Sequence, residues 1–222
     1  MKEAQYNIEK TTSTPASEAY RILRTKVLLL SAQTRLKTIL ITSAVRREGK
    51  STVAKNFAMS LALMEKNVVL LDGDLRMSTL THNFSFPEQK GLTDLLAVQE
   101  AGFKECLLWL IKHLDFIGAG MPTPDPVERL ASSRMKSFLQ ELQSAYDFVI
   151  IDSPALLDGV ADAQIMASLV DGVILVVCPD KASLDMVQSA KKVLTEANTA
   201  VIGVALNQVK EFKCSYPQSR LN

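Results

Sequence analysis

Short apolar strands alternating with helix-period segments predict an α/β fold: a doubly wound, mainly parallel sheet with helices on both faces. Three observations carry that expectation. The runs Thr38-Ile39-Leu40-Ile41-Thr42, Val68-Val69-Leu70-Leu71-Asp72 and Phe148-Val149-Ile150-Ile151-Asp152 are apolar until a polar terminus, as strands covered on both faces are. Helical spacing returns after each of them. The stretch from Ser43 to Met64 joins the two patterns, because Gly49-Lys50-Ser51 opens a helix directly after a strand and a loop. Free backbone N–H groups and the positive helix end would there face an anion, with Lys50 adding a full charge and Ser51 a hydroxyl for Mg²⁺. The pattern GxxxxGK[ST] has Ala44 in place of its first glycine.

In chain order, residues 1–15 are polar and rich in Ser and Thr and read as a flexible arm. Ser17 is a candidate N-cap for a helix over Glu18–Ser31, with Ala19, Ile22, Leu23, Lys26 and Val27 on one stripe. Strands follow at Lys37–Thr42 and Asn67–Asp72, with Phe57, Leu61 and Met64 forming the inner stripe of the helix between them. Ser78–Gln89 reads as loop, and Gly91-Leu92-Thr93-Asp94-Leu95-Leu96 opens a helix. Leu107–Leu110 is apolar, Leu114–Gly118 a short strand, and Met121–Pro126 a long turn. Helix resumes at Val127 and at Met135–Tyr146. Strand Phe148–Asp152, helix Ala161–Leu169, strand Gly172–Cys178, helix Ser183–Ala197 and strand Val201–Leu206 complete the series. The domain spans residues 16–209, with a tail over 210–222.

The composition narrows the function classes. At 222 residues the chain suits one domain with a full core. A formal net charge of +1 with well-mixed charges gives no case for a nucleic-acid partner. Cys106, Cys178 and Cys214 are widely spaced, with no CxxC and only two histidines, so neither a zinc site nor a disulfide framework is expected. They read as reduced thiols of a cytoplasmic protein. No apolar run approaches the length of a membrane span, and the first residues are too polar for a signal peptide. Membrane association would therefore come through a partner. His82 and His113 read as loop or surface residues, and Trp109 as core.

Two strands deliver carboxylates to the rim that holds the phosphate loop. One ends in Asp72-Gly73-Asp74-Leu75-Arg76, the other in Asp152-Ser153-Pro154. Strand-terminal aspartates are how a Mg²⁺-nucleotide site obtains its acidic component, with Gly73 allowing the backbone to turn between the first two. A lone strand-terminal Asp is often a cap or turn former, and a lone GKS can be chance. The three together, in order, point to nucleotide binding.

These residues resemble the cytoplasmic domain of bacterial tyrosine kinases, of the P-loop branch that also contains partition and division-site ATPases. The resemblance covers most of the chain: Glu48-Gly49-Lys50-Ser51-Thr52, Asp72-Gly73-Asp74-Leu75-Arg76 and Ile150-Ile151-Asp152-Ser153-Pro154. It extends to Glu18-Ala19-Tyr20-Arg21-Ile22-Leu23-Arg24, Gly91–Leu96 and Pro124-Asp125-Pro126. It implies ATP- and Mg²⁺-dependent phosphoryl transfer to tyrosine in exopolysaccharide or capsule synthesis or export. By that resemblance Arg47, Glu48, Gly49, Lys50, Ser51, Thr52 and Asn207 bind nucleotide, and Ser51, Asp74 and Asp152 hold the metal. Lys50, Asp72, Asp74 and Asp152 would be catalytic, with Asp72 the base for the tyrosine hydroxyl. Glu18, Arg21 and Arg24 would mediate self-association, although Glu18 and Arg21 at i,i+3 could equally be a surface pair. The implied partner is a separate membrane protein of the chain-length-regulator type. The alternative is a nucleotide-switched assembly ATPase of the partition type, without tyrosine transfer.

The chain departs from the family in three places. Arg46-Arg47 stands where Pro-Gly is usual, and a positive φ at a non-Gly residue there would cost about 1 kcal/mol. The two arginines are either solvated or in contact with phosphate. Ala155 replaces a second proline after Asp152. The tail carries only Tyr216 where a tyrosine cluster is typical, leaving one candidate phosphosite.

Overall fold

A computed structural model describes residues 14–84, 90–98 and 102–209. Seven strands form one sheet in the order β3-β4-β2-β5-β1-β6-β7. They are β1 (Thr38–Ser43), β2 (Val68–Asp72), β3 (Leu107–Ile111), β4 (Leu114–Ile117), β5 (Phe148–Asp152), β6 (Gly172–Val177) and β7 (Val201–Leu206). All neighbouring strands are parallel except the β3–β4 hairpin. The doubly wound expectation holds, with one antiparallel edge added.

The central strands are covered on both faces, and alternation assigns their side chains to two cores. Ile39, Ile41, Val68, Leu70, Phe148 and Ile150 face α1 (Pro15–Gln33) and α2 (Lys50–Ala62). Leu40, Val69, Leu71, Val149 and Ile151 face the other side. That side is packed by α4 (Leu92–Ala97), α5 (Pro126–Leu130), α6 (Ser133–Ala145), α7 (Asp162–Ala167) and α8 (Leu184–Glu196).

Several local expectations are corrected. The first helix starts at Pro15, not after Ser17: Thr14 is its N-cap, and Ser17 is the N3 member of a capping box with Thr14. Thr14-Pro15 is a cap followed by proline at the first helical position, where its missing N–H costs nothing. Those residues therefore belong to the helix and not to an arm. Its inner stripe runs through Tyr20, Leu23 and Val27, while Ile22 is exposed. In α2, Phe57 and Leu61 are buried as expected, but Met64 lies beyond the helix end and is exposed. A short helix α3 (Thr79–Asn83) interrupts the expected loop, entered through Ser78 in the left-handed region at φ 45°. Trp109 is not core: it sits on edge strand β3 and is 62% exposed. His82 is exposed, as expected. His113 is half-buried in the β3–β4 turn, with its Nδ1 2.9 Å from Asn67 Oδ1.

Candidate active site

The phosphate loop is held from three sides. Glu48 is fully buried, and its carboxylate accepts from Val45 N at 2.9 Å and from Cys178 N at 2.8 Å. Its side chain is therefore a brace inside the fold, leaving its backbone as the part that can approach a phosphate. Asn207, at the end of β7, donates its amide to Glu48 O at 2.8 Å, so in this arrangement it serves the loop. Lys181 and Gln208 both donate to the carbonyl of Arg47. Arg47 adopts φ 64°, which is the positive φ anticipated for the position where a glycine is usual. Arg46 pairs with Asp158 at 2.8 Å. Gly49 follows at φ 92°, with Asn207 packed where a side chain would stand, and glycine meets both demands. Ala44 is fully buried at an ordinary φ, so the lost first glycine costs nothing here. Lys50 and Ser51 begin α2 behind Gly49, and Thr52 is exposed on its first turn.

The carboxylates converge next to that helix end. Asp72 and Asp152 are register partners on adjacent parallel strands, and both fall on the alternate that faces α2. Each is essentially without solvent exposure. Gly73 lets the two strand ends approach: its N–H donates to Asp152 O at 2.9 Å, and a Cβ would lie 2.7 Å from that same carbonyl. Close approach, rather than an unusual backbone angle, is the reason for glycine.

The two acids are treated differently by their surroundings. Asp72 Oδ2 accepts from Thr81 N at 2.8 Å and Thr81 Oγ1 at 2.7 Å, and Oδ1 accepts from Asp74 N at 3.3 Å. Burial still pushes its carboxyl up to about 6, because desolvation outweighs those hydrogen bonds. Neither oxygen of Asp152 has a hydrogen-bond partner. Burial, with the charge of Asp72 beside it, raises its carboxyl to about 8; Ser51 and Lys50 are near enough to pull the other way. Buried polar atoms without partners are uncommon and call for an explanation. A cation is one: the Ser51 hydroxyl beside Asp152 offers a second oxygen, while the helix N-terminus favours the phosphates such an ion would accompany. Among the described residues no three acidic, His or Cys side chains gather tightly enough to hold a metal alone. A Mg²⁺ that takes one or two carboxylates and completes its shell with phosphate and water needs no such cage.

Asp74 is buried one residue beyond Gly73, and its Oδ1 accepts from Arg76 N at 3.3 Å and Met77 N at 3.0 Å. Arg76 makes a two-point pair with Asp162, at 2.8 Å from Nε and 3.2 Å from the second nitrogen. This bond ties the end of β2 to α7, and it satisfies an otherwise fully buried carboxylate. Sequence reasoning named neither Asp162 nor Thr81. A single Thr in a supposed loop carries no signal until α3 is known to fold back onto β2.

The remaining predicted residues lie elsewhere. Glu18 and Arg21 pair on the exposed side of α1 at 3.1 Å. Arg24 donates to Ser60 O at 2.9 Å and so fastens α1 to α2. Tyr216 lies outside the described residues. No described helix is long and apolar enough to cross a membrane.

Comparison with known proteins gives the family and the fold. A family model described as "ParA: NUBPL iron-transfer P-loop NTPase" matches residues 35–221. The chain is 37% identical over 199 residues to tyrosine-protein kinase YwqD of Bacillus subtilis, covering 90% of this chain and 84% of that one. It is 32% identical over 204 residues to putative tyrosine-protein kinase CapB of Staphylococcus aureus, covering 92% and 89%. Among solved structures, the kinase domain of Escherichia coli tyrosine kinase ETK superposes with a TM-score of 0.84 at 26% identity, over 96% of this chain and 88% of that one. The chimerical protein CapA2B2 gives 0.83 at 29%, over 90% and 87%. The septum site-determining protein MinD from Pyrococcus horikoshii gives 0.66 at 24%, over 80% and 72%, a likeness of fold alone.

Proposed function

The chain belongs to the bacterial tyrosine kinases of the P-loop NTPase class, and from that premise we propose how its residues divide the work of moving a phosphoryl group from ATP to a tyrosine. The observation that carries the assignment is the in-register pair Asp72 and Asp152 beside the N-terminus of α2, with neither Asp152 oxygen hydrogen-bonded within the fold and only Ser51 and Lys50 near enough to favour its charge. Lys50 and the backbone N–H groups over 48–52 bind the β and γ phosphates. Thr52, exposed on the first turn, reaches the α phosphate. Ser51 and Asp152 hold Mg²⁺, with Asp74 contributing from the second strand end. The ion supplies charge neutralisation at the phosphates undergoing transfer.

Asp72 takes the proton from the tyrosine hydroxyl. A buried carboxyl raised to about 6 is a stronger base than a free one and is still ionised at neutral pH. The Arg76–Asp162 pair keeps the β2 end in place, and Glu48, Lys181 and Asn207 do the same for the phosphate loop. The side chains of these residues orient groups and touch no reacting atom.

The protein acts at the cytoplasmic face in exopolysaccharide or capsule synthesis or export. It works with a membrane protein of the chain-length-regulator type and self-associates through the Glu18/Arg21 side of α1. The same unit is matched within a longer chain, putative tyrosine-protein kinase EpsB of Ralstonia solanacearum, where 93% of this chain covers 28% of that protein. That match supports a working unit joined to further segments or partners.

Labelled ATP, with a synthetic Glu–Tyr copolymer as acceptor, tests the reading against Lys50→Met and Asp72→Asn. Phosphotyrosine formed by the wild type and lost in both variants is the expected result. Free phosphate without phosphotyrosine would assign the chain to nucleotide-switched assembly instead.

A further inference from the structure

Arg46 and Arg76 stand at the same rim of the sheet and are held differently. Arg76 spends its guanidinium on the fully buried Asp162, with Nε at 2.8 Å and a second nitrogen at 3.2 Å. Arg46 makes one bond, from Nε to Asp158 Oδ2 at 2.8 Å, and its two terminal nitrogens have no partner among the described residues. Its side chain is 62% exposed, that of Asp158 14%. Arg46 lies in the loop that wraps the phosphates, three residues before Gly49. Strand β1, which feeds this loop, stands between β5 and β6. On the β5 side the loop is tied to the residues after that strand: Leu156 N donates to Ser43 O at 2.9 Å and Leu157 N to Ala44 O at 3.0 Å. The Arg46 side chain reaches to this side, where Asp158 by its bond, and Asp74 by its charge alone, favour the guanidinium. The Arg47 carbonyl turns the other way, to Lys181 and Gln208 in the loops after β6 and β7.

We propose that Arg46 is a γ-phosphate contact, leaving Asp158 for the terminal phosphate when ATP occupies the loop and finding no counterpart on ADP. The inference rests on the reading of this rim as a Mg-ATP site. The metal bridges the β and γ phosphates, so the γ phosphate belongs on the side of β1 where Asp152 and Asp74 stand. Beside Lys50, Arg46 is a cation on that side with nitrogens to spare. Arg76 is taken by Asp162, and Lys181 is engaged across the loop. The exchange is favoured by the strength of the two contacts. An exposed one-point ion pair contributes little, whereas a guanidinium that meets a phosphate through two parallel bonds makes one of the stronger polar contacts. Asp158 is then returned to water, in a turn where Gly159 has no neighbour within 4 Å of its side-chain position.

The test is calorimetric titration of the full chain with Mg-ADP and with the non-transferable β,γ-imido analogue of Mg-ATP. Arg46→Ala is expected to weaken the analogue about tenfold or more, the loss typical of a hydrogen bond to a charged group, while ADP stays within about twofold. Asp158→Ala frees Arg46 without removing it, and should leave the ratio of analogue to ADP affinity at or above the wild-type value. An unchanged ratio in Arg46→Ala would overturn the proposal. So would a loss in Asp158→Ala as large as that in Arg46→Ala, since the ion pair would then act only by shaping the loop. The premise fails separately. A wild type that binds neither nucleotide removes the Mg-ATP reading, whereas a wild type that binds both, beside an Arg46→Ala chain with an unchanged ratio, overturns this inference alone.

Discussion

The two ends of the sheet contain the same kinds of residue and treat them in opposite ways. At the amino-terminal end lies a groove of about 930 Å³ lined by Leu28, Arg35, Lys37, Lys66 and Asp171 among others. Its Asp171 and Lys37 are satisfied within the fold. Asp171 Oδ2 accepts from Lys37 N, Thr38 N and Thr38 Oγ1 at 2.8–2.9 Å, and the Lys37 ammonium sits on the carbonyls of Gln143 and Tyr146. At the carboxyl end, Asp152 is as deeply buried as any core residue and neither of its oxygens is hydrogen-bonded. A groove alone would choose the wrong end. An unmet electrostatic demand chooses the right one, because leaving a buried carboxylate unpaired costs stability that a ligand can return.

The sharpest way to break this contrast is to neutralise one aspartate at each end. Asp152→Asn is expected to lower tyrosine transfer by about 100-fold or more, the scale seen when a group that stabilises developing charge is removed. The same change should raise the thermal midpoint of the nucleotide-free protein by roughly 3–6 °C, since it removes a carboxyl that the fold holds protonated well above its ordinary range. Activity and stability moving in opposite directions, by phosphotyrosine assay and calorimetry, is the signature. Asp171→Ala should do the reverse. Losing three accepted hydrogen bonds lowers the midpoint by about 4–8 °C, while transfer per folded molecule stays at the wild-type value.

Acidity sharpens the comparison further. The folded chain holds Asp72 at about 6 and Asp152 at about 8, both above the 3.8 of an unperturbed side chain. Between those limits the folded state binds protons that the unfolded chain has released. The stability these groups contribute is therefore fully present below about pH 4 and is lost as pH rises toward 8. The midpoint of the nucleotide-free protein is expected to fall over that range, and Asp152→Asn should flatten the upper part of the fall. A smaller effect is expected at the phosphate loop. Arg47→Gly relieves a left-handed residue at φ 64° and should stabilise the chain by about 1 kcal/mol, or about 2–4 °C by calorimetry.

What could be read from the sequence follows the same physics. Strands β1, β2 and β5 were legible because both faces are buried, which forces unbroken apolar runs ending where the chain reaches solvent or ligand. The phosphate loop and the strand-terminal aspartates were legible because their chemistry needs fixed residue types at fixed spacing. Edge strand β3 was not, since Trp109 and its neighbours are half-covered and carry no clean alternation. Thr81, Asp162 and the tie that Arg24 makes to α2 were also hidden. Each acts through a partner distant in sequence (Asp72 by 9 residues, Arg76 by 86, Ser60 by 36), and no local pattern encodes such a pair. The cap at Thr14 is different: Thr followed by Pro was a legible signal, outweighed by the polar composition around it.

The most direct test of the central claim is the thermal midpoint with ADP, with and without Mg²⁺, in the wild type and in Asp152→Asn. If Asp152 is unpaired in order to receive the cation, Mg²⁺ adds to the stabilisation by ADP in the wild type, and that increment disappears in the variant while the metal-free ADP shift remains. An equal Mg²⁺ increment in both proteins would contradict the account.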